Sequence, residues 1–340
     1  MSRSLPTPHK LVHAPTPVRR LDALCQAGVE IWVKDDGVSH PDYGGNKIRK
    51  LEWLLSEAER RGARRIVTSG AAGSHHVLAT TLFAERAGIA VAAVICPQPR
   101  TPHAISMLRA TVGTGAELHA VGSMAGVPLG TLRVLRRGDY LIPPGGSNVL
   151  GTLGYLRAVA ELVGQIRSGE APEPDVLVAP LGSGGTVAGL LAGVLREGLR
   201  ARVVGVEVAT LPALGSAMVL ALSAAALRRD GGSAGLGRLR RQLEVDGRFL
   251  GRGYGAPTSA GEKAMEVGRN LGLGLDPTYT AKTFARVLEL ADTPRLGGRP
   301  LRVLYWHTLS SASLAPRLAA APAFEALPAG LQELLPAPRS

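Results

Sequence analysis

Lys47 stands in the run Tyr43-Gly44-Gly45-Asn46-Lys47-Ile48-Arg49-Lys50-Leu51-Glu52, where two glycines precede an amphipathic helical pattern. Glycines there let the backbone approach a ligand with no side chain in the way. Of 39 lysines and arginines only six are lysines, at positions 10, 34, 47, 50, 263 and 282. Two of these, Lys47 and Lys50, lie three residues apart on one helix face, which points to a task that guanidinium cannot perform. A partly buried primary amine can lose its proton and attack an aldehyde, whereas arginine stays charged. A solvated basic helix face accounts for the same spacing.

A second signal is Pro180-Leu181-Gly182-Ser183-Gly184-Gly185-Thr186, which follows an apolar strand pattern and opens a helix. Glycines in that place expose backbone N–H groups at a helix N-terminus, where partial positive charge favours a phosphate. Gly182, Gly184 and Gly189, with Glu207 after the next strand, also approximate a dinucleotide fingerprint in which Glu207 would hold a ribose. The glycine spacing departs from that fingerprint. A plain tight turn is the third reading.

Ser69-Gly70-Ala71-Ala72-Gly73-Ser74-His75-His76 likewise follows a strand and opens a helix. Ser74 is placed as the N-cap, which leaves first-turn N–H groups able to hold a carboxylate. His75 and His76 are adjacent, so on a helix they point about 100° apart, and no third ligand is in register for a metal. Late in the chain Tyr254 and Tyr279 fall in loop patterns, and the apolar strand Val303 to Trp306 runs into His307-Thr308. Each of these alone reads as core or turn material. Together they ask for a common explanation.

The elements that must position these residues follow from periodicity. Ile31 to Lys34 predicts a strand, Asp35 to Asn46 a loop and Lys47 to Arg61 a helix. Strand patterns at Arg65 to Thr68, Val91 to Ile95 and Glu117 to Val121 alternate with helical ones at Val77 to Ala87 and Ala104 to Val112, the rhythm of βαβ units. Tyr140 to Ile142, a Gly/Pro turn and a helix around Leu153 to Ser168 lead to a second alternation. This comprises strand Val176 to Ala179, the Gly182 loop, a helix from Thr186 and strand Val203 to Val208. The α/β expectation is therefore two doubly wound parallel-sheet lobes. Asp230 to Gly251 reads as a surface excursion, and the tail after Ala315 as a mixture of helix and loose end.

A chain of 340 residues exceeds what one core usually fills, and 45% apolar with 19% charged residues is a globular balance. The net charge of +12 raises nucleic acid as a partner. The arginines are scattered, however, aromatics are 4%, and no zinc-finger or RNP-like segment occurs, so no nucleic-acid partner is expected. Cys25 and Cys96 are too few for a disulfide framework, and the Pro-rich start lacks a signal-peptide core, so a cytoplasmic location is expected. The apolar stretch Leu211 to Leu227 is too interrupted to span a membrane and reads as an Ala-rich buried helix.

These segments, in this order, resemble the fold type II (tryptophan-synthase-β-like) pyridoxal-phosphate enzymes, and among them the aminocyclopropane-carboxylate deaminase and D-cysteine desulfhydrase family. The likeness runs from about Pro6 to Leu314, and its most specific pieces are GGNKIRKLEWL, IPPGGSN at Ile142 to Asn148 and DPTYTAK at Asp276 to Lys282. The resemblance implies a small lobe (53–157) inserted in a large one (1–52 and 158–340), with the active site in the cleft between them, and a homodimer. It implies Lys47 as the Schiff-base lysine, Lys50 with Gly182, Ser183, Gly184, Gly185 and Thr186 on the cofactor phosphate, and Asn46 lining the site. Ser74 would sit beside the substrate, with the N–H groups of His75 and His76 on its carboxylate. His75 takes the place of an amide that contacts the cofactor phenolic oxygen. Tyr279 would lie near the ring and substrate and act with Lys47 and Ser74 in catalysis. Tyr254 would close the pocket, and Thr308 would face the pyridine nitrogen.

Besides His75-His76 after Ser74, the chain departs from the family at Ala281, where glycine is usual, and at Leu309-Ser310, where two glycines are usual. Ring-opening deaminases resembling this chain carry glutamate after the tyrosine, where Thr280 stands. A neutral hydroxyl there suits β-elimination, which asks less carbanion stabilisation of the cofactor. The expected reaction is elimination on a small amino acid, D-cysteine to pyruvate, ammonia and hydrogen sulfide. Aminocyclopropane-carboxylate deamination or another amino-acid lysis, such as that of cysteate, is the alternative within the family. Outside it stand a nicotinamide-dependent oxidoreductase using the Gly182 loop, and a cofactor-binding protein without turnover.

Overall fold

The computed structural model describes residues 4–337 apart from 27, 210–213 and 294–297. In chain order β1 (Val18–Arg20), β2 (Val29–Asp35) and α1 (Asn46–Arg60) come first. Next are β3 (Arg65–Ala71), α2 (His75–Arg86), β4 (Ala90–Cys96), α3 (Pro102–Val112), β5 (Glu117–Ala120), α4 (Val127–Val134) and β6 (Tyr140–Leu141). After them come α5 (Val149–Arg167), β7 (Val176–Leu181), α6 (Gly185–Arg196), β8 (Arg202–Glu207), α7 (Leu214–Arg229), α8 (Leu236–Gln242) and β9 (Leu243–Asp246). The chain ends with α9 (Ser259–Asn270), α10 (Thr280–Ala291), β10 (Leu301–His307), α11 (Ala315–Ala320) and α12 (Ala329–Gln332).

The described residues divide into two compact units, one drawn from 11–50 and 148–312 and the other from 1–10, 51–147 and 313–340. Among the described residues the first unit holds a sheet of order β1-β2-β10-β7-β8-β9 and the second a sheet of order β5-β4-β3-β6. Among the described residues all pairings between these strands are parallel except β1 with β2. The fold is thus α/β with two parallel sheets, as the alternation of strand and helix patterns requires.

In the first unit β7 is buried along its whole length and β10 nearly so, the sign of strands covered on both faces. Val178, Val204, Val303 and Tyr305 from the sheet pack with Phe284 and Val287 of α10. Helix α5 begins at Val149, four residues before the apolar periodicity predicts, because the Asn148 side chain accepts the N–H of Gly151 and caps a glycine-containing first turn.

The expected surface excursion over Asp230 to Gly251 instead contains α8 and the edge strand β9, paired in parallel with β8. Asp230 is clasped by Arg157 and Arg196. Part of the apolar stretch, residues 211–213, lies outside the described residues. The remainder forms α7, which buries Val219, Leu220, Ser223 and Leu227 but exposes Ser216, Ala217 and Ala221, so it is a one-faced helix and not a buried one. Among the described residues no helix is long and apolar enough to cross a membrane.

In the second unit the tail is tied down. Phe324, Leu327, Leu334 and Leu335 join Val77, Ile95 and Leu108 in one core, and the Gln98 N–H donates to the Leu334 carbonyl at 3.0 Å.

Candidate active site

Parallel strands all finish on one edge of their sheet, and the segments that leave them gather there. In the first unit β2 runs into Asp36, β7 into Gly182 and β10 into Thr308. The chain leaves β7 towards β8 on one side and returns in β10 on the other, so strand order reverses at this place, where α/β sheets present their ligand crevice.

The turn before α1 is held from several directions. Gly45 has φ +87°, a conformation open to glycine, and its N–H donates to the Asp36 carbonyl at 2.7 Å. The Asn46 N–H donates to the Thr308 carbonyl at 3.1 Å, and the Gly44 N–H to Ser310 Oγ at 2.8 Å. Ser310 thus turns its hydroxyl onto the turn that delivers Lys47.

Arg49 leaves α1 on the side away from Lys47 and enters a buried ionic cluster. Its guanidinium donates to both Asp36 oxygens, at 2.9 and 2.7 Å, and to both Glu161 oxygens, at 3.1 and 2.9 Å. Asp36, fully buried, also accepts from Tyr155 OH at 2.6 Å, Trp306 Nε1 at 2.8 Å and Thr16 Oγ1 at 2.9 Å. Arg49 holds the Asp36 carboxyl below its ordinary range against the opposing effect of burial. Lys34, buried too, donates to Glu161 and to the Thr16 carbonyl. Asp36 therefore grips α1 twice, at Gly45 just before it and at Arg49 in its first turn.

On the other face the partly buried Lys47 donates from Nζ to Asn46 Oδ1 at 2.9 Å and lies 5.7 Å from the Tyr279 ring centroid. Burial lowers its pKa to about 8, with the charge of Asp276 pulling the other way. Lys50 is buried, and desolvation first, then the charge of Lys47, pushes its pKa well down. Two amines crowded out of water at a helix head are suited to an anion that would relieve both.

A cradle for an anion is tied to the same helix head. Asn46 Nδ2 donates to Thr186 Oγ1 at 3.0 Å, joining the head of α1 to the head of α6. Gly184 is the N-cap of α6 with φ +85° and offers no side chain to the first-turn N–H groups. A Cβ at Gly184 would meet Met218 Cε at 2.9 Å, and one at Gly182 would lie 3.3 Å from Tyr279 Cε1. Ser183 and Gly185 complete the loop. A reactive amine, a second ammonium, a side-chain-free helix N-terminus and an aromatic ring fit a phosphorylated aromatic aldehyde such as pyridoxal phosphate.

Tyr279 is the N-cap residue of α10, and its hydroxyl lies 2.6 Å from that of Tyr254. Buried Asp276 accepts the N–H groups of Thr278, Tyr279 and Thr280, at 2.9, 2.7 and 3.1 Å. The Thr280 hydroxyl donates to Asp276 Oδ2 at 2.7 Å, which occupies it in the helix cap. Thr308 is buried at the end of β10. The sequence-predicted Asn46, Lys47, Lys50, Gly182–Thr186, Tyr254, Tyr279 and Thr308 thus lie in one unit. Sequence reasoning missed Asp36, Arg49, Glu161 and Asp276, whose partners are distant along the chain or engaged through the backbone.

Ser74, His75 and His76 belong to the other unit. Ser74 caps α2, its Oγ accepting the Val77 N–H at 3.3 Å. His75 Nε2 lies 2.9 Å from His103 Nε2 at the head of α3. His76 is buried, with Nε2 2.9 Å from Thr68 Oγ1. Thr68 Oγ1 spends its hydrogen on the Ile142 carbonyl, so His76 Nε2 is the donor to it.

A lysine pKa of about 8 makes a prediction. At pH 7 about 9% of such amines are neutral against roughly 0.03% at 10.5, an advantage of roughly 300-fold. Trace labelling of the apoprotein with an amine reagent, read by peptide mass, should therefore rise at Lys47 about tenfold per pH unit below 8 and level off above it. A rise continuing to pH 10, as for surface lysines, would show an unperturbed amine.

Comparison with known proteins gives four findings. A family model described as pyridoxal-phosphate dependent enzyme matches residues 10–308. A Salmonella typhi protein named D-cysteine desulfhydrase is 32% identical over 324 residues, covering 88% of this chain and 92% of that protein. Among solved structures an ACC deaminase homologue superposes with a TM-score of 0.77 at 28% identity, over 93% of this chain and 96% of that one. A fungal L-serine ammonia-lyase from Rhizomucor miehei shares the fold, with a TM-score of 0.60 at 18% identity over 91% and 98% of the two chains.

Proposed function

The chain belongs to the pyridoxal-phosphate dependent enzyme family, and from that membership we propose that it carries out β-elimination on a small amino acid, with D-cysteine as the substrate. The observation that carries this reading is the Lys47 amine, partly buried beside the Tyr279 ring and joined through Asn46 and Thr186 to a glycine-capped helix head.

Pyridoxal phosphate, when bound, supplies an electron sink for charge developing at the α carbon of an amino acid. Lys47, Lys50, the Gly182–Thr186 loop, Asn46 and Thr308 are the residues proposed to hold it. With a pKa of about 8, Lys47 Nζ has a free-base fraction of about 9% at pH 7, and in that form it can take the Cα proton. Asn46 Oδ1 accepts from that amine and fixes where it points. The Tyr254–Tyr279 hydroxyl pair can hand a proton to a departing sulfide. Thr280, held in the Asp276 cap, provides no carboxylate of its own at the place where ring-opening enzymes have one, which favours elimination over ring opening. Ser74, with the N–H groups of His75 and His76, is proposed to bind the substrate carboxylate at the head of α2. A homodimer in the cytoplasm is proposed on the family resemblance.

The test is a product panel on purified, cofactor-loaded protein: D- and L-cysteine, β-chloroalanine, cysteate, serine and aminocyclopropane carboxylate, with pyruvate, 2-oxobutyrate, ammonia and sulfide measured. D-cysteine is expected to give kcat/KM at least about tenfold above L-cysteine, since one misplaced group in a binding pocket costs about 1–3 kcal/mol. Faster release of 2-oxobutyrate from aminocyclopropane carboxylate would make the protein a deaminase instead.

A further inference from the structure

Lys282 is a buried lysine for which the proposed reaction has no task. It lies on α10 one turn beyond Tyr279, and its Nζ donates to the Leu250 carbonyl at 2.9 Å and the Gly253 carbonyl at 2.8 Å. Both acceptors belong to residues 247–258, the stretch between β9 and α9 that forms neither helix nor strand. The Gly253 N–H turns back to the Leu250 carbonyl at 3.3 Å, so the two carbonyls bracket a single turn, and Tyr254 is the next residue. From there the Tyr254 ring meets Tyr279 edge-on, with centroids 5.6 Å apart at 80°, and the two hydroxyls are 2.6 Å apart.

An ammonium in this place is costly to bury, and a methionine of similar length would fill the volume without that penalty. Burial accordingly holds the Lys282 pKa below its ordinary value, with Asp276 opposing. What lysine provides and methionine cannot is a second, shorter donor to two carbonyls that otherwise accept only long turn bonds, from the Gly253 N–H at 3.3 Å and the Ala256 N–H at 3.4 Å.

We propose that Lys282 is a positioning residue that locks the 250–254 turn onto α10 and thereby sets Tyr254 against Tyr279, beside the Lys47 amine. The functional part of the proposal rests on Lys47 being the reactive lysine; the lock itself does not. Hydrogen exchange decides the lock without any turnover. In the wild-type apoprotein the amides of 250–256 should exchange more slowly than those of the 231–235 loop. In Lys282→Met they should exchange at least about tenfold faster, with β7 and the core of α10 unchanged. On the loaded enzyme, affinity for pyridoxal phosphate should stay within about twofold while kcat falls about tenfold or more, the size of effect of a misplaced proton donor. The double variant Lys282→Met/Tyr254→Phe should be no slower than Tyr254→Phe alone, because both changes act through one hydroxyl.

Unchanged exchange at 250–256 in Lys282→Met, or losses that simply multiply in the double variant, would overturn the proposal. Should Lys282→Met not fold, Lys282→Gln is measured in its place, and fast exchange at 250–256 in the wild-type protein would by itself defeat the lock. If none of the amino acids is turned over, the proposed reaction fails while the exchange result still stands for or against Lys282.

Discussion

Lys47→Met is expected to abolish turnover and, in the same protein, to raise the stability of the apoprotein at neutral pH. The loss of turnover should be at least about four orders of magnitude, because covalent attachment and proton abstraction depend on the one amine. The visible absorbance of the loaded enzyme should vanish with it. The gain in stability follows from the depressed pKa. Below pH 8 the amine is protonated both in the folded and in the unfolded chain, and folding bears the full cost of holding that charge out of water. Between pH 8 and 10.5 only the folded chain has released the proton, so stability climbs with pH; above 10.5 the cost is gone. A displacement from 10.5 to about 8 is worth roughly 3 kcal/mol, which is the ceiling on what methionine recovers at pH 7. Denaturant melts of variant and wild-type apoprotein at pH 7 and pH 10.5 would show the difference shrinking as pH rises. A variant that is less stable at pH 7, or that keeps its colour and activity, would remove Lys47 from the centre of the site.

The second large effect is expected at Arg49. Arg49→Met leaves the Asp36 carboxylate buried with only neutral donors, Tyr155, Trp306 and Thr16, and removes two of the links to Glu161. Breaking a buried ion pair from one side costs about 3–5 kcal/mol. For a chain of this size that is a fall in Tm of roughly 4–7 °C. Without the guanidinium, burial, which raises the Asp36 pKa, is opposed only by the Tyr155 hydrogen bond and the charge of Lys34, so the variant should close part of its gap to wild type as pH falls and Asp36 takes up a proton. The double variant Asp36→Asn/Arg49→Met should recover much of the loss, since no charge is then stranded. A gap that is the same at pH 5 and pH 7 would mean that lost packing is responsible and not a stranded carboxylate.

Lysine scarcity made Lys47 and Lys50 legible, and the same signal extends further than its first use. Lys34 and Lys282 are buried as well, one against Glu161 and the other against two carbonyls, so the few lysines of this arginine-rich chain are largely interior ones. The pairing of Tyr254 with Tyr279 was legible only as two loop tyrosines wanting a shared reason; their 2.6 Å contact supplies it. The Asp36 cluster was not legible, because Asp36 collects donors from residues 16, 49, 155 and 306, and no local pattern records a meeting of that kind. Strand centres came through where both faces are buried, while β9 did not: it is four residues long, only partly buried, and follows the arginine-rich helix α8. The docked tail was hidden for the opposite reason, its apolar residues being spaced among prolines and alanines with no period.

The interior placement of lysine also changes how this strongly cationic molecule meets the outside world. Its surface positive charge is nearly all guanidinium, and among the described residues only Lys10 and Lys263 carry exposed side-chain amines. Dyes, crosslinkers and resins that couple through primary amines will find few handles among the described residues. Immobilised in that way, the molecules would be held in a small set of orientations, while reagents selective for arginine would modify them broadly.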